Sequence, residues 1–166
     1  MRAEALNWGA SSVDPSALYN LQRRSAPLPI HPDAIRLDEM SARPSDEPVV
    51  MLNLLRFREQ AQPGFGVDAM SGSEAFLEYG RRFDELHPRF GGRPIWVGKP
   101  LGVIIGAEDE AWDLALLVHY PSREKFVSML ADPDYLEIAP IRAAALVDSR
   151  LIEMSQLMML SSDEQS

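Results

Sequence analysis

A nearly continuous apolar stretch marks the start of the predicted core. Val49 to Leu55 is apolar at every position except Asn53. Continuous apolar runs of this length are typical of strands covered on both faces, whereas a strand with one solvated face alternates apolar and polar residues. The pattern therefore predicts a first strand that is buried on both sides.

A helical repeat follows this strand. Ser71 and Glu74 have the spacing of a capping box, which favours a helix start. Apolar side chains then recur every three or four positions, at Phe76, Tyr79, Phe83, Leu86 and Phe90. We expect Pro88 to end or bend the helix near His87, because proline lacks the N–H that a helix interior needs.

Two more strands are predicted after Gly91-Gly92. The second runs from Ile95 to Ile105, and its glycines and Pro100 indicate a bulge or bend. The third runs from Trp112 to Tyr120. We expect the short turn between them to make the two strands antiparallel neighbours.

The last third of the chain predicts a second helical region and a final strand. Pro121-Ser122 opens the helical region, and Asp132-Pro133 restarts it as an N-cap followed by a first-turn proline. Arg142 to Leu146 is expected to form one more turn. The final strand is predicted from Asp148 to about Leu157.

The predicted order β-α-β-β-α-β is that of an α+β, ferredoxin-like sandwich with its helices on one face of the sheet. The apolar first strand then requires a cover for the second face. A homodimer in which two sheets face each other supplies that cover with one symmetric interface. We therefore predict a dimeric α+β barrel with an N-terminal helical extension.

The predicted domain, residues 47–158, lies between an extension, residues 1–46, and a flexible tail, residues 159–166. The extension is rich in proline and carries two short helix patterns, from Asp14-Pro15 to Arg24 and from after His31-Pro32 to about Met40. Two interpretations of it stay open. It packs on the domain or on the partner copy, or it is a partly mobile tail.

Composition narrows the classes of function. The absence of cysteine excludes disulfides, thiolate metal sites and a cysteine nucleophile. The net charge of −9 disfavours binding of a nucleic-acid backbone. The three histidines lack metal-site spacing, so we expect no metal or other cofactor. We find no secretory signal or membrane-length apolar run, and expect a cytoplasmic protein that does not enter membranes.

Several motifs resemble those of the domain-of-unknown-function family numbered 1330. They are Met51 to Glu59, Gly91-Gly92-Arg93 with Trp96 and Gly98, Glu110 to Asp113, Tyr120 to Phe126, Asp132 to Tyr135, and Ala143 to Ile152. The resemblance covers about Val49 to Glu153. It implies a dimeric α+β barrel. It points to no particular catalytic residues, because the family has no agreed activity. This chain has Ile141-Arg142 where related sequences commonly place a His-Arg pair.

Five side chains are candidates for a ligand site, each with a structural alternative. They are Asn53, Tyr79, Trp96, His119 and Arg142. A buried amide such as Asn53 must find hydrogen-bond partners, from a ligand or from neighbouring backbone. Trp96 has the flat surface of a stacking residue but equally suits a core or an interface. A histidine such as His119 is more often structural than catalytic.

Two hypotheses about function follow. In the first, the protein binds or converts a small organic molecule without a metal, between the sheet and the helices or within the dimer barrel. In the second, it is a non-catalytic dimeric module, structural or regulatory, whose motifs serve the fold. The sequence does not specify a reaction.

Overall fold

The computed structural model describes residues 30–155. Its elements, numbered in chain order, are α1 Ala34–Ser41, β1 Val49–Phe57, α2 Gly72–Phe90, β2 Arg93–Gly98, β3 Leu114–Tyr120, α3 Arg123–Leu130, α4 Pro133–Ala145 and β4 Leu146–Met154. Three predictions lie outside the described residues: the helix from Asp14 to Arg24, the end of the last strand at Leu157, and the tail 159–166.

The four strands form one antiparallel sheet in the order β2-β3-β1-β4. The long helix α2 connects β1 to β2, and α3 and α4 connect β3 to β4. Two β-α-β units placed in this order define the ferredoxin-like arrangement. The predicted α+β fold class is therefore confirmed.

Strand alternation divides β1 between the two faces of the sheet. Val49, Met51 and Leu55 point to the helices and are buried in the core. Leu52 and Leu54 point the other way and are only partly buried. Val50 is on the same face as Leu52 and Leu54 but is buried, at 6% exposure. Within one protomer the second face of β1 is therefore covered at Val50 and only partly covered at Leu52 and Leu54, and full burial on both sides would require a second layer.

Helix α2 begins as predicted, and of the two effects predicted for Pro88 it does not show an end near His87. Ser71 and Glu74 form the reciprocal capping box. The helix continues through Pro88 to Gly91, a left-handed C-cap with φ 69°. The carbonyl that Pro88 cannot bond, that of Asp84, lies 2.9 Å from Nδ1 of His87, which replaces the missing donor.

The predictions for the second and third strands need correction. β2 spans only Arg93–Gly98, and its bulge lies between Pro94 and Trp96. The stretch predicted to continue to Ile105 belongs instead to a long loop, residues 99–113. Pro100 has no N–H to continue a ladder. The two strands are antiparallel neighbours, as predicted, but a long loop rather than a short turn joins them.

The described part of the extension packs on the domain. Helix α1 begins after its N-cap Asp33 and buries Met40 in the core. The chain that follows caps α3, where the backbone N–H of Arg123 donates to the carbonyl of Glu47 at 2.9 Å. The buried Arg123 side chain also donates to Glu153 of β4 at 2.6 Å. These contacts attach residues 34–48 to the sheet.

Candidate functional site

The sheet separates the five predicted site residues into two groups. Asn53, Tyr79 and Arg142 lie on the helix side, because Asn53 is paired with two helix-facing neighbours in the β-register and Tyr79 packs against the core. Trp96 and His119 lie on the opposite face. The predicted residues thus do not form a single site within one protomer.

Arg142 is the most distinctive polar group on the helix side. It lies near the end of α4, where its Nη2 donates to Oγ of Ser149 at 2.9 Å and its Nη1 to the carbonyl of Ile30 at 3.2 Å. No carboxylate of residues 30–155 forms an ion pair with it. A guanidinium has five N–H donors, so three remain for another acceptor. This arrangement suits a small anion.

Asn53 lies on the same face of the sheet, diagonally across from Ser149. Its Nδ2 donates to the carbonyl of Met51 at 3.3 Å, so the neighbouring backbone is one partner, as the sequence had allowed. Its Oδ1 accepts no hydrogen bond from the described residues. Leu151, its direct partner on β4, is 39% exposed. The helices therefore leave this stretch of the sheet partly open.

Tyr79 and Tyr120 lie close enough to Arg142 for its charge to act on them, and Tyr135 is a neighbour of both tyrosines. Burial raises the pKa of Tyr79 well above its usual range and also raises the pKa of Tyr120, and the nearby Tyr135 acts in the same direction on both. The charge of Arg142 opposes these increases without cancelling them. The hydroxyls of Tyr79 and Tyr120 therefore stay neutral at physiological pH. The Tyr120 hydroxyl is buried and donates to Sδ of Met129 at 3.6 Å.

An aromatic row continues the apolar wall beside these groups. Consecutive ring centroids are 5.4–6.3 Å apart along Phe57, Phe76, Tyr79, Phe83 and Tyr135. All but Tyr135 are only partly buried. The helix side thus combines one guanidinium, neutral hydroxyls and an amide with an accessible apolar surface.

Sequence reasoning missed Ser149, Tyr120 and Tyr135 as members of this cluster. The period-two pattern of β3 placed Tyr120 on one face with Val118. Whether that face meets the helices depends on the pairing of β3 with β1. This pairing sets Tyr120 opposite Val49, which points to the helices. A register of this kind was not readable from the sequence, so no local signal identified the three residues.

The opposite face, which we call the open face, carries no described helix. Its apolar members are Val50, Leu52, Leu54, Trp96, Ala115, Leu117 and Ile152, and the strand register also places His119, Arg56, Arg93, Asp148 and Arg150 on it. Trp96 is 54% exposed, and its indole lies over Gly98, where any side chain would collide with the ring. Nδ1 of His119 is buried and has no hydrogen-bond partner among residues 30–155.

The described residues lack both a metal cluster and a membrane-spanning helix. No group of three or more His, Cys, Asp or Glu side chains there could hold a metal ion. No helix in that part of the chain has the length and apolar character to cross a membrane.

Comparison with known proteins gives a family and two similar structures. The family model described as a domain of unknown function, DUF1330, matches residues 67–154. Two crystal structures of RPA0582, a protein of unknown function from Rhodopseudomonas palustris, one of them methylated, are each 36% identical to this chain. They cover 80% of it and 98–99% of their own chains, with TM-scores of 0.74 and 0.73.

A more distant structure also matches. It is a dimeric protein of unknown function with a ferredoxin-like fold from Bacteroides fragilis, 13% identical over 68% of this chain and all of its own, with a TM-score of 0.45. A likeness this weak says nothing about how the present chain assembles. No curated protein matches the chain.

Proposed function

The chain belongs to the DUF1330 family, domains of unknown function, and we propose that it is a homodimer that binds a small organic carboxylate on the helix side of its sheet. The observation that carries the proposal is Arg142. Its guanidinium is oriented by two hydrogen bonds, yet no carboxylate of the described residues neutralises it. A ligand carboxylate would complete its donors with two parallel hydrogen bonds.

The neighbouring groups define what else the ligand should carry. Directly opposite residues of antiparallel strands are about 5 Å apart and diagonal ones about 7 Å, so the Asn53 amide lies about 7 Å from Ser149. The exposed side chain of Leu151, directly opposite Asn53 and two residues from Ser149, lies on the same face. The expected ligand therefore has a carboxylate for Arg142, an apolar body beside Leu151, and a hydrogen-bonding group for Asn53.

The open face supports the homodimer part of the proposal. Leu52, Leu54 and Leu117 form its centre, with Trp96 and Ile152 exposed beside them. Contiguous apolar surfaces of this kind are uncommon on monomers. Two copies related by a two-fold axis would bury the same surface on each other. The second copy would also be placed to supply a hydrogen-bond partner for Nδ1 of His119.

One observation favours the alternative of a non-catalytic module. The two hydrogen bonds of Arg142 also connect Ile30, in the extension, to Ser149 in β4. Arg142 would then act as a structural latch between chain segments. Under this alternative the motifs serve the fold and the dimer, and no small molecule is needed.

A matched ligand screen separates the two readings. We expect some small carboxylates, but not their primary amides, to raise the melting temperature of the wild-type protein. In isothermal titration, Arg142→Gln should weaken such a carboxylate at least ~10-fold, because a charge-assisted pair is lost. Asn53→Ala should weaken it less. Arg81→Gln, which removes an exposed guanidinium on the outer side of α2, is the control.

The outcomes are distinct. Equal affinity of the wild type and Arg142→Gln would contradict the carboxylate site. If no carboxylate changes the melting temperature and Arg142→Gln only destabilises the fold, the module is the better description. Light scattering after size exclusion tests the dimer independently, since it should give twice the mass of one chain at micromolar concentration.

A further inference from the structure

The loop of residues 99–113, which joins β2 to β3, exposes more apolar surface than any comparable stretch of the described chain. Leu101, Ile104 and Ile105 are 97%, 94% and 95% exposed, and Val103 is 39% exposed. These side chains contact almost nothing in their own domain. Single exposed apolar residues are common on protein surfaces, but four within five positions are not.

We propose that this loop is an arm that closes over a second copy of the chain, with residues 101–105 packing on that copy. The proposal rests on the homodimer proposed above and extends it. It assigns part of the interface to a segment that lies outside the sheet. In a two-fold dimer each copy would both give an arm and receive one.

The base of the arm is fixed to the sheet while its tip is not. The arm leaves from β2, an edge strand, next to the exposed Trp96 of the open face. It returns at Asp113, whose backbone N–H donates to the carbonyl of Leu55 at 2.8 Å and whose Oδ2 accepts from the N–H of Phe57 at 2.7 Å. Trp112 lies under the guanidinium of Arg150, 5.0 Å from its ring centre. The two ends of the arm are therefore fixed to the sheet, and the residues of its tip project away from them.

The area of the open face argues for an additional contact. Four strands about 4.8 Å apart, seven residues long at ~3.3 Å each, give one face of ~440 Å². A stable protein interface typically buries ~800 Å² on each partner. Val50 and Ala115 on this face are already buried, so the apolar surface that the sheet can still lose is limited. The exposed aliphatic side chains of the arm, which follows the edge strand β2, would add to the area that such a dimer buries.

Polar residues limit the contact to the tip of the arm. Glu108, Asp109 and Glu110 follow the apolar segment and are exposed. Because desolvating three like charges would oppose association, these residues should stay at the solvated rim. The division between apolar tip and acidic rim is the pattern that interfaces commonly have.

The first test substitutes the arm without touching the fold. A variant with Leu101→Ser, Ile104→Ser and Ile105→Ser should keep its helical circular dichroism, since these residues contact little in the protomer. Its dimer dissociation constant, measured by sedimentation, should rise at least ~30-fold. The control carries Ile35→Ser, Leu77→Ser and Leu136→Ser, three exposed apolar positions on helices. Its dissociation constant should stay within ~2-fold of the wild-type value.

The second test measures contact directly. The chain has no native cysteine, so Ile104→Cys introduces one thiol. A maleimide should modify this thiol more slowly above the dimer dissociation constant than far below it. Leu77→Cys should react at the same rate at both concentrations. Equal rates at Ile104→Cys would overturn the arm, even if the triple variant dimerised more weakly.

A third variant separates failure of the arm from failure of the dimer. Leu52→Asp places a charge at the centre of the open face and should abolish dimerisation. If Leu52→Asp dissociates the protein while the arm variant dimerises like the wild type, only the arm is wrong. If the wild type is monomeric at every concentration, the homodimer and the arm both fail.

Discussion

The two faces of the sheet carry the same apolar residue types but differ in how far those residues are buried. On the helix side, Leu55 is fully buried and packs against α2 and α4. One residue earlier, Leu54 faces the other way and stays partly exposed. The helix side also contains the polar cluster around Arg142, whereas the open face has Trp96 exposed at its β2 edge. Leucines of the same strand therefore contribute different amounts to the stability of the protomer, according to the face on which they lie.

This difference shows what the chain connections decide. Both segments that link parallel positions of the sheet, α2 and the α3–α4 pair, pack on the same face. The chain thus has no helix left for the other face among its described elements. The apolar side chains there stabilise the protomer little, and they gain their full value only when another surface removes them from water.

The largest expected difference between the faces is in the stability of the protomer. Leu55→Ala should lower the free energy of unfolding by ~2–5 kcal/mol, because it leaves a cavity in a packed core. Leu54→Ala should cost about 1 kcal/mol in a dilute, monomeric sample, since its side chain is only partly buried. Urea denaturation followed by circular dichroism measures both. Equal losses would mean that the open face is covered within the protomer.

A smaller difference is expected in assembly. Trp96→Ala removes the largest exposed ring of the open face and should weaken dimerisation by ~30-fold, as aromatic anchors in interfaces commonly do. Phe65→Ala, at a ring of similar exposure in the loop before α2, should leave the dimer unchanged. Sedimentation at several concentrations compares the two. The open face would lose its assigned role if both variants dimerised like the wild type.

The smallest expected effect concerns the helix side, where alkaline pH should lower the free energy of unfolding. The unfolded chain ionises tyrosine near pH 10, whereas burial keeps Tyr79 protonated at higher pH in the folded protein. The unfolded state therefore binds fewer protons above pH 10, and the free energy of unfolding should fall as the pH rises. Tyr79→Phe should make this decline shallower while changing stability little at pH 7. Parallel pH profiles for the two proteins would show that the Tyr79 hydroxyl is not protected by folding.

Much of the fold was predictable because its signals are local. Ser71 with Glu74, and Asp132 with Pro133, specify helix starts through bonds within a single turn. Of the two effects predicted for Pro88, an end of α2 near His87 does not occur, because the His87 ring replaces the donor that Pro88 lacks, a compensation the proline alone does not indicate. The second strand was predicted too long because residues 101–105 are apolar without a neighbouring strand to pair with.

The candidate site was predictable only in part. Asn53, Tyr79 and Arg142 were identified by residue type, and they share the helix side of the sheet. Trp96 and His119 were grouped with them, but strand register places them on the open face. A one-residue shift of register would exchange the two faces, so residue type could not separate the groups.

The sequence by itself determined the order of the elements, the helix caps and the excess of apolar surface that one protomer leaves exposed. These properties depend on residues a few positions apart, or on the total amount of apolar surface. Only the tertiary structure decided which face each side chain occupies, that Arg142 meets Ser149 and Ile30, and that the arm stands clear of its own domain. These properties depend on pairing between distant segments, because a side chain's neighbours are fixed by register and packing rather than by its own pattern.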